Sequence, residues 1–401
     1  MLLTLLVFLI ILTILVLIHE AGHYFMAKKF GIKVEEFGFG LPPRIFGIKR
    51  GETIYSINWL PVGGFVKLFG EDEAGGGKVY TGGKSADIVI VNEKVDKKDK
   101  DRAFFARPAW QRALVVVAGV IMNTLLAFVI YYIFLGISNF TTTEPLIGNY
   151  HFFGVQQTNY NLDHPDLVVS SVEDKSPAAN ATMHAPLKLL SLNHQPMTTR
   201  DNFINYINKH KGQPVTLTWE ELETHKQVTA TIIPRVHPPK DSGALGIAFF
   251  PITVLTYATP EQKIFSGITL PINLTLYNFD VIGQLVHISV QKHTFAPVSE
   301  GVGGPVAIYG LVGDILQLPT REAVLQLLNL AGLLSISLAI FNILPIPALD
   351  GGRFFFILIE LIFHKKINPR YEGYAHAVGM AVLLALILLI TLKDIGQLFI
   401  K

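Results

Sequence analysis

The sequence predicts a polytopic α-helical membrane protein with four transmembrane helices, a membrane-associated β-hairpin sheet and one extracytoplasmic α+β domain. Three observations predict it. Half of the 401 residues are hydrophobic, and the mean hydropathy is +0.42. Only 16% are charged, against about 25% in an ordinary soluble domain. The apolar residues gather into four long runs, too long and too continuous for one face of a soluble helix. A lipid bilayer is therefore an expected partner. A charge fraction this low excludes a disordered chain, and a net charge of +2 makes no basic field for phosphates, so no nucleic-acid partner is expected. The absence of cysteine excludes disulfides, thiolate metal sites and a cysteine nucleophile.

The first helix is expected over residues 1–27. It opens with an uncharged run from Leu2 to Ile18 and then reads His19-Glu20-Ala21-Gly22-His23. It has no basic leader and no small-residue cleavage site, so it reads as a span and not as a signal peptide. Residues 33–70 are expected to be a membrane-associated β region. Strand-like runs at Val34–Phe39, Thr53–Trp59 and Gly64–Phe69 are punctuated by Pro42, Pro43, Pro61, Gly63 and Gly64. Apolar strands beside a membrane must have their backbone groups paired, hence a hairpin sheet. Residues 71–106 turn Gly-rich and then mixed in charge, and are expected as a solvated cytoplasmic insertion without chemistry.

The second span is expected over 107–137. Residues 164–237 read as a compact domain, with strands near 167–172, 215–220 and 227–233 and a helix at 200–209 carrying Phe203, Ile204 and Ile207 on one stripe. A pair of amphipathic surface helices is expected within 258–298. The third span and the motif that follows it occupy 321–353, and the fourth span 372–396.

Basic residues near the spans set the orientation. From Lys28 to Arg112 there are 16 Lys/Arg and 11 Asp/Glu; from Ser138 to Thr320 there are 10 and 14. The loop after span three adds Arg353, Lys365, Lys366 and Arg370. The first and last connections are therefore expected in the cytoplasm, with the middle region and both termini outside.

His19 and His23, four residues apart, share a helix face and can reach one Zn²⁺. Glu20, one residue on, lies beside such a metal and not on it, where it can take a proton from water and return one to a leaving amine. A chance match on a surface helix is the bland alternative. Three ionisable groups inside an apolar span argue against it, because groups at that depth are costly and functional by default. A catalytic zinc site takes three protein ligands. Asp350, after the helix-breaking Pro345 and Pro347, is the best candidate for the third, since spans one and three run in the same direction and end at one depth. Its alternative role is as an N-cap for a helix over 351–363. Glu360 reads as interfacial, beside His364. His287, His293 and His376 lack ligand spacing and read as solvated or capping. Asn123 reads as a cross-helix hydrogen bonder, with Gly119 permitting close helix approach.

With these residues the chain resembles the site-2 protease family of intramembrane zinc metalloproteases, of the bacterial RseP type. The likeness rests on His19–His23, on the run from Asn342 to Gly351, on Phe37–Ile45, on Pro61–Lys67 and on Gly303-Gly304-Pro305. It implies His19, His23 and Asp350 as zinc ligands and Glu20 as the catalytic residue. It also implies single-span substrates already trimmed outside, such as membrane-bound anti-sigma factors or remnant signal peptides, and a place in the bacterial inner membrane. The outer domain resembles a PDZ module through Val168–Val172, Ser176-Pro177-Ala178-Ala179 and Leu192–Pro196. It departs from that pattern at Ala185-Pro186-Leu187-Lys188, which stands where a Gly-Asp pair is usual. Substrate contacts are expected at Asn342, Pro345 and Pro347, and at Gly63, Gly64 and Phe65 if an unwound segment adds to the hairpin as a further strand. Two other readings compete. A non-proteolytic PDZ-bearing scaffold with a structural metal would have no use for Glu20. A zinc transporter would need more polar residues along spans two and four.

Overall fold

In a computed structural model of the chain, all residues are described except 72–78, 82–87, 91–100, 162–166, 198, 223–225, 240–241, 296–298, 300–302, 366–368 and 401. The elements run α1 (Leu2–Lys29), β1 (Val34–Arg50), β2 (Thr53–Leu68), β3 (Val79–Thr81), β4 (Ile88–Ile90) and α2 (Ala109–Ile137). Then come β5 (Thr141–Pro145), β6 (Gln156–Tyr160), β7 (Val168–Val169), β8 (Ser171–Val172), α3 (Pro177–Asn180), β9 (Leu187–Leu192), β10 (Gln195–Pro196) and α4 (Arg200–Lys209). The rest is β11 (Val215–Glu221), β12 (Gln227–Ile232), β13 (Ile247–Ala248), β14 (Ile252–Thr256), α5 (Pro260–Gln291), α6 (Pro305–Ile315), α7 (Thr320–Ile343), α8 (Asp350–Phe363) and α9 (Pro369–Ile400). The chain divides into two compact units, Met1–Tyr131 with Ile282–Lys401, and Tyr132–Val281.

Among the described residues of the chain, four helices are long and apolar enough to cross a membrane: α1, α2, α7 and the stretch Tyr371–Gly396 of α9. These are the four expected spans. Helix α1 stops where its composition says it should. Lys28 and Lys29 face the negative end of the helix dipole. Gly31, at φ +71°, closes a Schellman turn in which Ile32 N–H donates to Ala27 O and Gly31 N–H to Lys28 O. Helix α1 packs on α2 through glycine: a methyl on Gly22 would lie 2.4 Å from the Ala118 carbonyl oxygen. Helix α7 ends before Pro345, with Leu344 in the extended conformation that a following proline imposes.

The hairpin is more elaborate than three runs. Strands β1 and β2 continue through Pro42-Pro43 and Pro61, and the paired prolines fall where the register jumps between Leu41 and Arg44. The first half of β1 is matched on both sides: Phe37 with Val66 and Tyr55, Gly38 with Phe65 and Ser56, Phe39 with Gly64 and Ile57. Two bent strands thus supply four rows. Gly64, Phe65 and Val66 are matched with β1, and no second strand is matched with them among the described residues. Ile45, Phe46, Ile48, Trp59 and Leu60 are exposed apolar residues on this sheet, as expected of strands that meet lipid. Most of the insertion expected at 71–106 lies outside the described residues; the short β3–β4 pair is within them.

The second unit holds a three-stranded sheet in the order β5-β14-β6 and a five-stranded sheet in which β10, β9, β11 and β12 follow one another and β7 pairs with β9. The latter encloses a core of Leu187, Leu192, Phe203, Ile207, Leu217 and Trp219. Three sequence expectations need correction. Ile204 is 41% exposed, so the buried stripe of α4 is Phe203 and Ile207 alone. The domain does not end at 237: Ala244 and Leu245 belong to its core, and β13 pairs with β8. The chain returns to the domain after Pro238-Pro239. Where an amphipathic pair was expected at 258–298, the described residues form one helix, α5, which runs through Pro271.

Candidate metal centre

Three donors converge in the first unit. His19 and His23 come from one face of α1, and Asp350 is the first residue of α8, with Leu349 in the N-cap position. Asp350 is therefore not the cap of its helix. Its Oδ2 lies 2.9 Å from His19 Nε2 and 3.3 Å from His23 Nε2, and the two Nε2 atoms are 3.2 Å apart. Tetrahedral zinc, with bonds near 2.0–2.1 Å, sets its ligand atoms about 3.3 Å apart. The donor types and spacing therefore fit zinc, and this is the one group of His and acidic residues among those described that can hold a metal ion.

The start of α8, which carries Asp350, packs against the Leu344–Leu349 turn with no room for side chains between them. A methyl on Gly351 would meet Leu344 O at 2.1 Å, and one on Gly352 would meet Ile346 O at 2.5 Å. A cavity of about 430 Å³ opens on the centre, lined by Glu20, His23, Phe65, Glu71, Asp350, Arg353 and His376 among others. Glu20 is beside the donors without being one of them. The hairpin comes close here: a methyl on Gly64 would touch Glu20 Cγ at 3.4 Å. The same turn also borders an apolar cavity of about 530 Å³, lined by Ile346, Pro347 and residues of the Tyr374–Leu383 stretch of α9.

Residues 7–386 match peptidase family M50. The chain is 31% identical over 383 residues to a Clostridium perfringens protein named as a zinc metalloprotease, covering 95% of each. It is 28% identical over 456 aligned positions to the regulator of sigma-W protease RasP of Bacillus subtilis, covering 99% of each. A solved PDZ domain from Listeria monocytogenes aligns with 22% of this chain and 90% of its own at 25% identity, with a TM-score of 0.19. The chain belongs to peptidase family M50. It is a zinc metalloprotease of the site-2 type.

In this M50 peptidase the donor residues are held by further contacts. His23 Nδ1 donates to the Val115 carbonyl at 2.8 Å, which leaves Nε2 with its lone pair for a metal. Asn123, fully buried on α2, sets its side-chain amide 3.5 Å from His19 Nδ1, and Ser335 Oγ of α7 donates to the Asn123 backbone carbonyl at 2.8 Å. The expected cross-helix role of Asn123 is thus met at the site itself. Gly119 is tighter still, since a methyl there would lie 2.5 Å from His23 Nε2. Of the expected substrate contacts, the Asn342 amide is 3.5 Å from His19 Nε2, Phe65 lines the donor cavity and Pro347 the apolar one. Gly63, at φ +81°, has open space where a side chain would be. Arg353 pairs with Glu71, and Arg112 with Glu360 at 2.7 Å. Sequence spacing points to neither pair, because each joins segments far apart in the chain.

Proposed function

We propose that this M50 peptidase cleaves peptide bonds within the membrane segment of single-span proteins already trimmed outside, such as anti-sigma factors or remnant signal peptides. His19, His23 and Asp350 would hold the zinc. When bound, zinc polarises a carbonyl and lowers the pKa of water. Glu20 takes the proton of the attacking water and passes it to the leaving amine. A helical substrate protects its carbonyls in hydrogen bonds, so it must be extended first. Gly64–Val66 of β2, matched on one side only among the described residues and adjoining Glu20, can receive the extended segment as a further strand. The Asn342 amide and the Pro345–Pro347 turn border its path. The observation that carries this reading is a three-donor cluster with an adjacent carboxylate at the end of an uncharged span.

The proposed orientation follows the charge of the flanks: an inner-membrane protein with the zinc-motif end of α1 toward the cytoplasm, and the PDZ-like domain and both termini outside. The deciding experiment uses purified protein reconstituted with a short single-span substrate. Glu20→Gln should lower the cleavage rate by about 10²-fold or more while zinc content stays at the wild-type level. Wild-type cleavage by the variant would overturn the assignment, as would loss of zinc with activity.

A further inference from the structure

The fourth span contributes one polar ring to this centre that the reaction scheme leaves unused. His376 is 6% exposed and lines the donor cavity with Glu20, His23 and Asp350. Its Nδ1 accepts the backbone N–H of Ala348 at 2.8 Å. With Nδ1 as acceptor, the neutral ring carries its proton on Nε2. That nitrogen makes no hydrogen bond among the described residues, and Glu372 Oε1, one turn earlier, lies 3.9 Å from it.

The residue it holds is unusual. Ala348 has φ +84°, a conformation that costs a non-glycine residue free energy and persists only when its surroundings enforce it. Two features of α9 enforce it. One is the His376 bond. The other is Gly379, three residues on, which comes so close to the turn that a methyl there would lie 2.2 Å from Pro347 O. Ala348 is two residues before Asp350. A relaxed turn would swing the start of α8 and withdraw the carboxylate from His19 and His23.

We propose that His376 is a positioning residue for the metal centre: Nδ1 clamps the Pro347–Leu349 turn in its strained form and so sets Asp350 against the two histidines. This rests on the reading of Asp350 as a zinc ligand. The fourth span is then part of the catalytic apparatus although it carries no ligand.

The test is zinc affinity of the full-length protein, measured by competition with a chelator, for His376→Leu, His376→Asn and His376→Gln. The Asn side-chain oxygen can sit near the place of Nδ1, whereas that of Gln extends toward the place of Nε2. Leu should weaken zinc binding by about 10–100-fold, Asn should restore most of it, and Gln should not. Rescue by Gln and not by Asn would overturn the proposal, as would a Leu variant with wild-type affinity. If the Leu variant fails to fold, Asn against Gln decides alone. Asp350→Ala measured beside them separates the two readings. Unchanged affinity in that variant removes Asp350 as a ligand. Lost affinity there with none lost in His376→Leu removes only the clamp.

Discussion

A methyl group at position 119 would sit 2.5 Å from His23 Nε2 and 2.7 Å from His19 Cε1. Neither ring can retreat without leaving the other donors, since His23 is tied to Val115 O. Gly119→Ala should therefore lower zinc affinity by about tenfold or more and leave the four spans inserted, as read by metal analysis of folded protein. Wild-type zinc content would mean that the rings have freedom the packing does not suggest. Asp350→Ala should lower both zinc content and activity, because one of the three proposed protein ligands is gone; full metal occupancy would place the third ligand elsewhere. Sequence spacing made His19, Glu20, His23 and Asp350 legible, because a four-residue interval on an apolar helix and a proline break are local signals. Asn123 and Gly119 were legible only as a hydrogen bonder and a close approach. The His376 clamp was not legible beyond a capping role, since its partner Ala348 is 28 residues away and only the fold brings them together.

At the scale of elements, the hairpin turn is tied to both of its neighbours by one carboxylate. Glu52 takes a two-pronged contact from Arg102, with Nη1 2.7 Å from Oε2, and also pairs with Lys28 at the end of α1. The Arg102 hydrogen bond, with help from Lys28, pulls its pKa down from 4.5 to about 2. An acid whose folded pKa lies below its unfolded one adds stability above the unfolded value and loses it as pH falls through the folded value. Glu52→Gln should therefore unfold at lower temperature at neutral pH, and its deficit should shrink as pH falls from about 4.5 toward 2. Thermal melts of wild type and variant across that range check this; a deficit independent of pH would assign the loss to packing. Here the sequence was only partly legible. Three strand-like runs could be seen, but not the bend that matches β1 on both sides, because a register shift at paired prolines leaves no periodic trace. The Gly303-Gly304-Pro305 motif likewise shows its reason only in the fold: Asp394 of α9 accepts from Gly304 N–H at 2.9 Å and Ala307 N–H at 3.2 Å, closing the start of α6.

Across the whole molecule, the domain built on the five-stranded sheet is an insertion with adjacent ends. Residues 161–251 lie between β6 and β14, and Tyr160 is paired with Ile252 in their sheet. The insertion can therefore be removed and bridged by a short turn without unpairing that sheet. On the proposed orientation it lies outside, whereas His19 and His23 lie toward the inner end of α1, and a bilayer core is about 30 Å thick. Its part is then access and not chemistry. Two roles compete: a groove that binds a newly exposed carboxyl terminus, or a steric filter that rejects substrates with bulky outer portions. Ala185-Pro186-Leu187-Lys188, where a Gly-Asp pair is usual, favours the filter. Replacing 162–250 by a short turn should leave cleavage of a short substrate near the wild-type rate and admit an untrimmed one that the intact protein refuses. Loss of cleavage of the short substrate, in a variant that inserts and binds zinc, would make the domain a required binding site instead, since a filter can be removed without slowing what it already lets pass.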